Sequence, residues 1–130
     1  MSQLERADVN AWWQLAQTDA RVAQLVMDTS PPAWHLVCFL SQQAGEKAIK
    51  ALLELHHQPI PRSHDITLLV ELSRADVAID GVLDDAILLS GYGVIPRYPH
   101  PSFAATRDDA VDALTSARRL LSWAELVLRL

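Results

Sequence analysis

The residues in this chain best equipped for chemistry sit in one short run, Arg97-Tyr98-Pro99-His100. Arginine carries a permanent charge on a planar fork that can hold two phosphate oxygens at once. Histidine exchanges a proton near neutral pH. Together they supply what metal-free cleavage of RNA requires. The histidine can assist attack by the 2′-hydroxyl or departure of the 5′-oxygen, while the arginine steadies charge on the phosphoryl group. Tyr92 and Tyr98 add rings that can stack on a base or accept a modification. The competing description of the run is a surface loop, with Arg97 paired to a carboxylate and Tyr98 packed against the protein. Spacing alone favours that loop.

Other clusters carry less chemistry. His56 and His57 are adjacent, so on a helix they point about 100° apart, and no carboxylate motif accompanies them. A histidine at a helix C-terminus already interacts well with the dipole, so capping is the preferred role. Arg62-Ser63-His64-Asp65 stands at a turn where Ser63 or Asp65 can cap a following helix, and His64 can still turn toward a neighbouring site. Gln42, Gly45 and Glu46 interrupt an otherwise apolar helix surface. A close helix crossing at Gly45 and a lined cleft both explain that interruption. Trp12, Trp13, Trp34 and Trp123 fall on predicted helices or their first turns, where core or dimer packing outweighs base stacking. Cys38 is the only cysteine, which excludes an internal disulfide and a cysteine metal cluster. Neither a metal nor a cofactor is expected.

The elements that must position these residues are helices. The central one runs from Ala33 to His57, about 35 Å at roughly 1.5 Å per residue. Val37, Leu40, Ala44, Ala48, Ala51 and Leu55 share one face, and Cys38, Gly45, Ile49 and Leu52 form a second apolar stripe with Gln42 inside it. Gln43, Lys47, Lys50, Glu54 and His57 make the opposite, solvated-looking stripe. A helix apolar on two faces must be covered from two sides. Helix one, from about Asp8 to Met27, carries Val9, Trp13, Ala16, Ala20, Ala23 and Met27, with Trp12 and Leu15 alongside, and ends before Pro31 and Pro32. A short third helix starting near Ser63 is expected to bury Ile66, Leu69 and Val70, followed by a linker from Arg74 to Gly81. Helix four covers about Val82 to Tyr92 through Leu83, Ala86, Ile87 and Leu89. The glycine- and proline-rich segment after it is long for a connector, as functional loops tend to be. The last helix opens at Thr106, which with Asp109 resembles a capping box, and buries Ala110, Leu114, Ala117, Leu121, Ala124 and Leu128. No strand pattern appears. The expected architecture is all-α, an up-and-down bundle of four main helices plus one short helix, in a single domain spanning residues 1–130.

Composition agrees with a globular chain: half of its 130 residues are hydrophobic and 21% are charged. A net charge of −5 disfavours broad adhesion to nucleic acid or to an anionic membrane, while leaving room for a local basic patch. The polar start MSQLERADVN has no apolar signal core, and no apolar run approaches ~18 residues. A soluble, cytoplasmic protein is expected, without membrane attachment.

Three segments, CFLSQQAGEKAIKALL at 38–53, PRSHDITLLVEL at 61–72 and GYGVIPRYP at 91–99, resemble the HEPN family in order and spacing. The resemblance covers nearly the whole chain. It implies a helical bundle, usually a homodimer, with a polar loop near the dimer cleft. Many HEPN proteins are metal-independent endoribonucleases, often toxins paired with a minimal nucleotidyltransferase antitoxin, and others are linked to nucleotide binding beside such a transferase. The resemblance therefore implies Arg97 and His100 as catalytic candidates. Arg97, Tyr98, Glu46, Gln42 and His64 become candidates for binding a nucleotide or phosphate. The family's ribonuclease signature is an arginine, four to six residues, and a histidine; here Arg97 matches the arginine and His100 follows after two residues. Three functions follow as expectations: a ribonuclease using Arg97 and His100, a non-catalytic nucleotide-binding or regulatory subunit, or a ligand-free dimeric scaffold. The shorter spacing favours the last two.

Overall fold

Proline placement and apolar periodicity set the first two helices, and the computed structural model shows how the others cover them. It describes residues 3–57, 59–60, 62, 66, 80–92 and 104–128. Helix α1 is Gln3–Met27. It begins well before the expected Asp8, because Gln3-Leu4-Glu5-Arg6-Ala7 contains good helix formers and no breaker. Val9, Trp13, Ala16, Ala20 and Ala23 are buried as their spacing predicts, whereas Leu15 is 49% exposed. After Met27 the chain turns, with Thr29 Oγ1 donating to the Val26 carbonyl at 2.7 Å, and the Ser30–Pro31 peptide is cis.

Helix α2, Trp34–Leu55, is the central element. Its largest interface is with α1, and its next largest is with the last helix. Both predicted apolar stripes are inside: Val37, Ala44, Ala48 and Ala51 on one, Cys38, Gly45, Ile49 and Leu52 on the other. Of the stripe read as solvated, only His57 is exposed. Lys50 is buried, and Gln43, Lys47 and Glu54 are half-buried, because α1 lies across them. At the C-terminus the His56 and His57 amides donate to the Leu52 and Glu54 carbonyls. His57 then adopts φ 56°, the left-handed conformation that ends many helices. The histidine pair thus sits at the helix end, as the capping role requires.

Helix α3, Leu83–Ser90, follows a 3-10 turn over Asp80–Val82, which occupies the end of the expected linker. Val82, Ala86 and Leu89 are buried, but Ile87 is 55% exposed, contrary to its expected place in the core. A two-turn helix has room for one packed face, and Ile87 lies a full 100° step beyond Ala86, about the angle per residue of an α-helix. Helix α4, Arg107–Leu128, buries every residue of its predicted stripe. The expected short helix near residue 63 falls mainly outside the described residues, with Leu69 and Val70; Ile66 itself is helical and buried.

Cross-contacts fix the directions. Trp12 meets Glu54 and Asp19 meets Lys47, so α1 and α2 run antiparallel. Gly45 lies against Leu120 and Cys38 feels the charge of Asp109, so α2 and α4 run parallel. Asp85 meets Ser116 while Tyr92 feels Asp109 and Asp112, so α3 opposes α4. The result is an all-α up-and-down bundle, with no strand among the described residues. Among those residues no helix is long and apolar enough to cross a membrane.

Candidate functional site

Two of the candidate residues come together on α2. Gln42 and Glu46 stand one turn apart, and the Gln42 amide donates to Glu46 Oε1 at 3.4 Å. Both are buried, and Gln43 Nε2 donates to Gln42 Oε1 at 2.7 Å. One turn further on, Lys50 Nζ donates to Glu46 Oε2 at 3.1 Å and lies 5.3 Å from the centre of the Trp12 ring. Trp12 in turn donates its indole N–H to Glu54 at 3.3 Å. Glu46 and Lys50, four residues apart, thus form an i,i+4 ion pair inside the protein. Residues 42, 46 and 50 make a buried polar track in which Lys50 pairs with Glu46. An ammonium held by a carboxylate and an aromatic face of α1 adds cohesion between the two helices.

Gly45, between these residues, explains why the surface is interrupted. A Cβ at this position would stand 3.0 Å from Leu120 Cδ2, 3.0 Å from Leu89 Cδ1 and 3.2 Å from Ile66 Cδ1. Three side chains from other parts of the chain thus close on the glycine. Of the two alternatives, the close crossing is the one that forms at Gly45. Ser41, one turn earlier, buries an Oγ with no hydrogen-bond partner among the described residues.

The segment carrying Arg97 departs and returns at one end of the bundle. Its departure is fastened by Gly91 and Tyr92, whose amides donate to the Leu88 and Leu89 carbonyls at 3.3 and 3.0 Å. Its return is fastened by a reciprocal capping box. The Thr106 amide donates to Asp109 Oδ2 at 2.9 Å, and the Asp109 amide donates to Thr106 Oγ1 at 3.1 Å. Aspartate thus does the work that glutamate does in the usual box. Tyr92 and Cys38 belong to the same end. Burial, then the Asp109 charge, pushes the Cys38 thiol up to about 12. Burial, then Cys38, Asp109 and Asp112, pushes the Tyr92 phenol up to about 12. Both groups keep their protons throughout the physiological range, so neither is a ready nucleophile.

Arg97, Tyr98, His100 and His64 lie outside the described residues, and Arg62 is exposed. Among the described residues no group of three or more His, Cys, Asp or Glu could hold a metal ion. What the residue reading missed is that the track is buried and that Trp12 joins it. The available signal was the spacing of Gln42, Glu46 and Lys50 at four-residue steps, beside a tryptophan on the preceding helix.

Comparison with known proteins adds the family. No curated protein sequence matches the chain. Among solved structures, TT1696 from Thermus thermophilus is similar at 30% identity and a TM-score of 0.82, over 91% of this chain and 96% of that one. The archaeal HEPN homologue ST0689 is similar at 29% identity and a TM-score of 0.73, over 90% of this chain and 94% of its own. The family description "HEPN domain" matches residues 9–127, from the first core position of α1 almost to the end of α4. The chain belongs to the HEPN domain family.

Proposed function

We propose that this chain is the HEPN component of a two-component module with a minimal nucleotidyltransferase, and that it cleaves RNA without a metal. The observation that carries the reading is the family match over residues 9–127, which includes both Arg97 and His100. Arg97 stabilises charge on the phosphoryl group and His100 serves as general acid or base. Tyr98, Gln42, Glu46 and His64 supply the remaining ligand groups. The firm anchoring of the segment at Gly91–Tyr92 and at Thr106–Asp109 supports a site at this end of the bundle. The working unit is a cytoplasmic homodimer.

Purified protein is expected to cut RNA in the presence of EDTA, leaving 2′,3′-cyclic phosphate ends. His100→Ala should lower the rate by about 10²–10⁴-fold, the usual worth of such a group, and Arg97→Ala should do at least as much damage. Loss of cutting with His64→Ala but not His100→Ala would transfer the role to His64. A second reading, a non-catalytic nucleotide-binding subunit, is favoured by the two-residue gap between Arg97 and His100. In that case wild-type protein cuts nothing, yet binds nucleotides in a way that Arg97→Ala abolishes. Absence of both activities would leave a dimeric scaffold.

A further inference from the structure

An open cleft of about 540 Å³ lies between the Asp80–Val82 turn and α4, lined by Gly81, Val82, Thr115, Arg118, Arg119 and Ser122. The four α4 residues recur at steps of three, one and three, so they share one helical face. They present a hydroxyl, two guanidinium groups and a second hydroxyl, and no carboxylate is among the described lining residues. Each arginine is anchored. Arg118 Nη2 donates to Gln24 Oε1 on α1. Arg119 Nη1 stands 3.7 Å from Asp85 Oδ1, a buried carboxylate that also accepts from Ser116 at 2.8 Å. The Arg119 side chain remains 68% exposed, and a guanidinium has about five N–H donors. Donor capacity therefore remains after the anchoring contact, while the ordering cost of meeting a ligand is reduced.

Gly81 gives the cleft its room. Its φ is not positive, and a Cβ there would meet no atom of the described residues within 4 Å. Neither backbone conformation nor packing among the described residues calls for glycine at this position, in contrast to Gly45. A side chain at 81 would take up space at the cleft wall.

We propose that this cleft binds a phosphoryl group, carried by a small polyphosphate or by a nucleic-acid backbone. Two planar forks flanked by hydroxyl donors suit a multiply charged tetrahedral anion better than a single carboxylate. The volume is also in the range of small-molecule sites, which run from about 300 to 1,000 Å³. The proposal does not depend on the ribonuclease activity proposed above.

The test follows backbone amide shifts of the full chain at low salt during titration with inorganic pyrophosphate and with a 5′-hydroxyl RNA oligonucleotide. Shifts should concentrate at Gly81, Val82 and residues 115–122. The Kd should weaken by about tenfold or more in the double variant Arg118→Gln/Arg119→Gln. Gly81→Leu should weaken it likewise, although it removes no donor. Thermal melting verifies that both variants fold, and Arg97→Ala should leave these shifts unchanged. Binding of pyrophosphate alone assigns the cleft to small polyphosphates, and tighter binding of the oligonucleotide assigns it to RNA backbone. Absence of shifts at these amides with both probes, shifts that persist undiminished in both cleft variants, or shifts lost with Arg97→Ala would overturn the proposal.

Discussion

Removing the Glu46 carboxylate would deprive the Lys50 ammonium, buried under Trp12, of its anion. Breaking a buried pair from one side costs about 3–5 kcal/mol. The Lys50 side chain keeps a tenth of its exposure, so Glu46→Ala belongs at the lower end, at about 3 kcal/mol by urea denaturation. Replacing both charges, as in Glu46→Leu/Lys50→Met, should restore most of that loss. A Glu46→Ala variant with unchanged stability would show that this carboxylate does not help to anchor the helices. Cys38 and Tyr92 make a prediction about pH. Their values rise from 9.0 and 10.0 to about 12, so the folded state holds these protons more tightly than the unfolded chain. That stabilisation is complete below pH 9 and is lost as the pH climbs toward 12. Urea midpoints should therefore fall over this alkaline window, and less steeply in Cys38→Ala. A Cys38→Ala profile identical to wild type would show that the thiol contributes nothing.

Helix α2 shows both what periodicity can tell and where it stops. Gly45→Val would push two methyl groups into the space held by Leu120, Leu89 and Ile66. Overpacking of this kind costs about 1–3 kcal/mol, partly offset by the roughly 1 kcal/mol that glycine loses within a helix. A thermal midpoint clearly below wild type is expected, with Gly45→Ala closer to neutral; a stabilised valine variant would mean the crossing is looser than the distances imply. The stripes of α1, α2 and α4 were legible because apolar residues at three- and four-residue steps have one way to be buried together. The capping box was legible because Thr106 and Asp109 sit at the required offset. The polar stripe of α2 was misread except at His57, since its residue types suit water as well as a covering helix, and nothing local says that α1 crosses the rest. Ile87 was misplaced for a related reason: on so short a helix, several faces score alike by hydropathy alone. The candidate site was legible only as residue chemistry and family likeness. Arg97, Tyr98, His100 and His64 lie outside the described residues, and their mutual geometry is not encoded in helical period.

As a whole, the molecule leaves large apolar side chains at its surface, including Leu25 on α1, Ile87 and Leu88 on α3, and Leu126 on α4, the last 78% exposed. A second copy could cover part of this area through a self-complementary contact. Light scattering at micromolar concentration should give a mass near twice the 14.4 kDa of one chain, and a monomer mass would refute the dimer. Inside each chain, the polar seam between α1 and α2 has a further consequence. Both helices bury runs of alanine, Ala16, Ala20 and Ala23 on one and Ala44, Ala48 and Ala51 on the other. Such smooth surfaces would tolerate sliding past each other by a turn, about 5.4 Å. The contacts of Trp12 with Glu54, Lys50 with Trp12, and Lys47 with Asp19 all break together in that slip. A misaligned bundle would keep much of its apolar burial and lose every one of these polar matches. The seam thereby sets the axial register of the pair, selecting one alignment among several that alanine packing alone would allow.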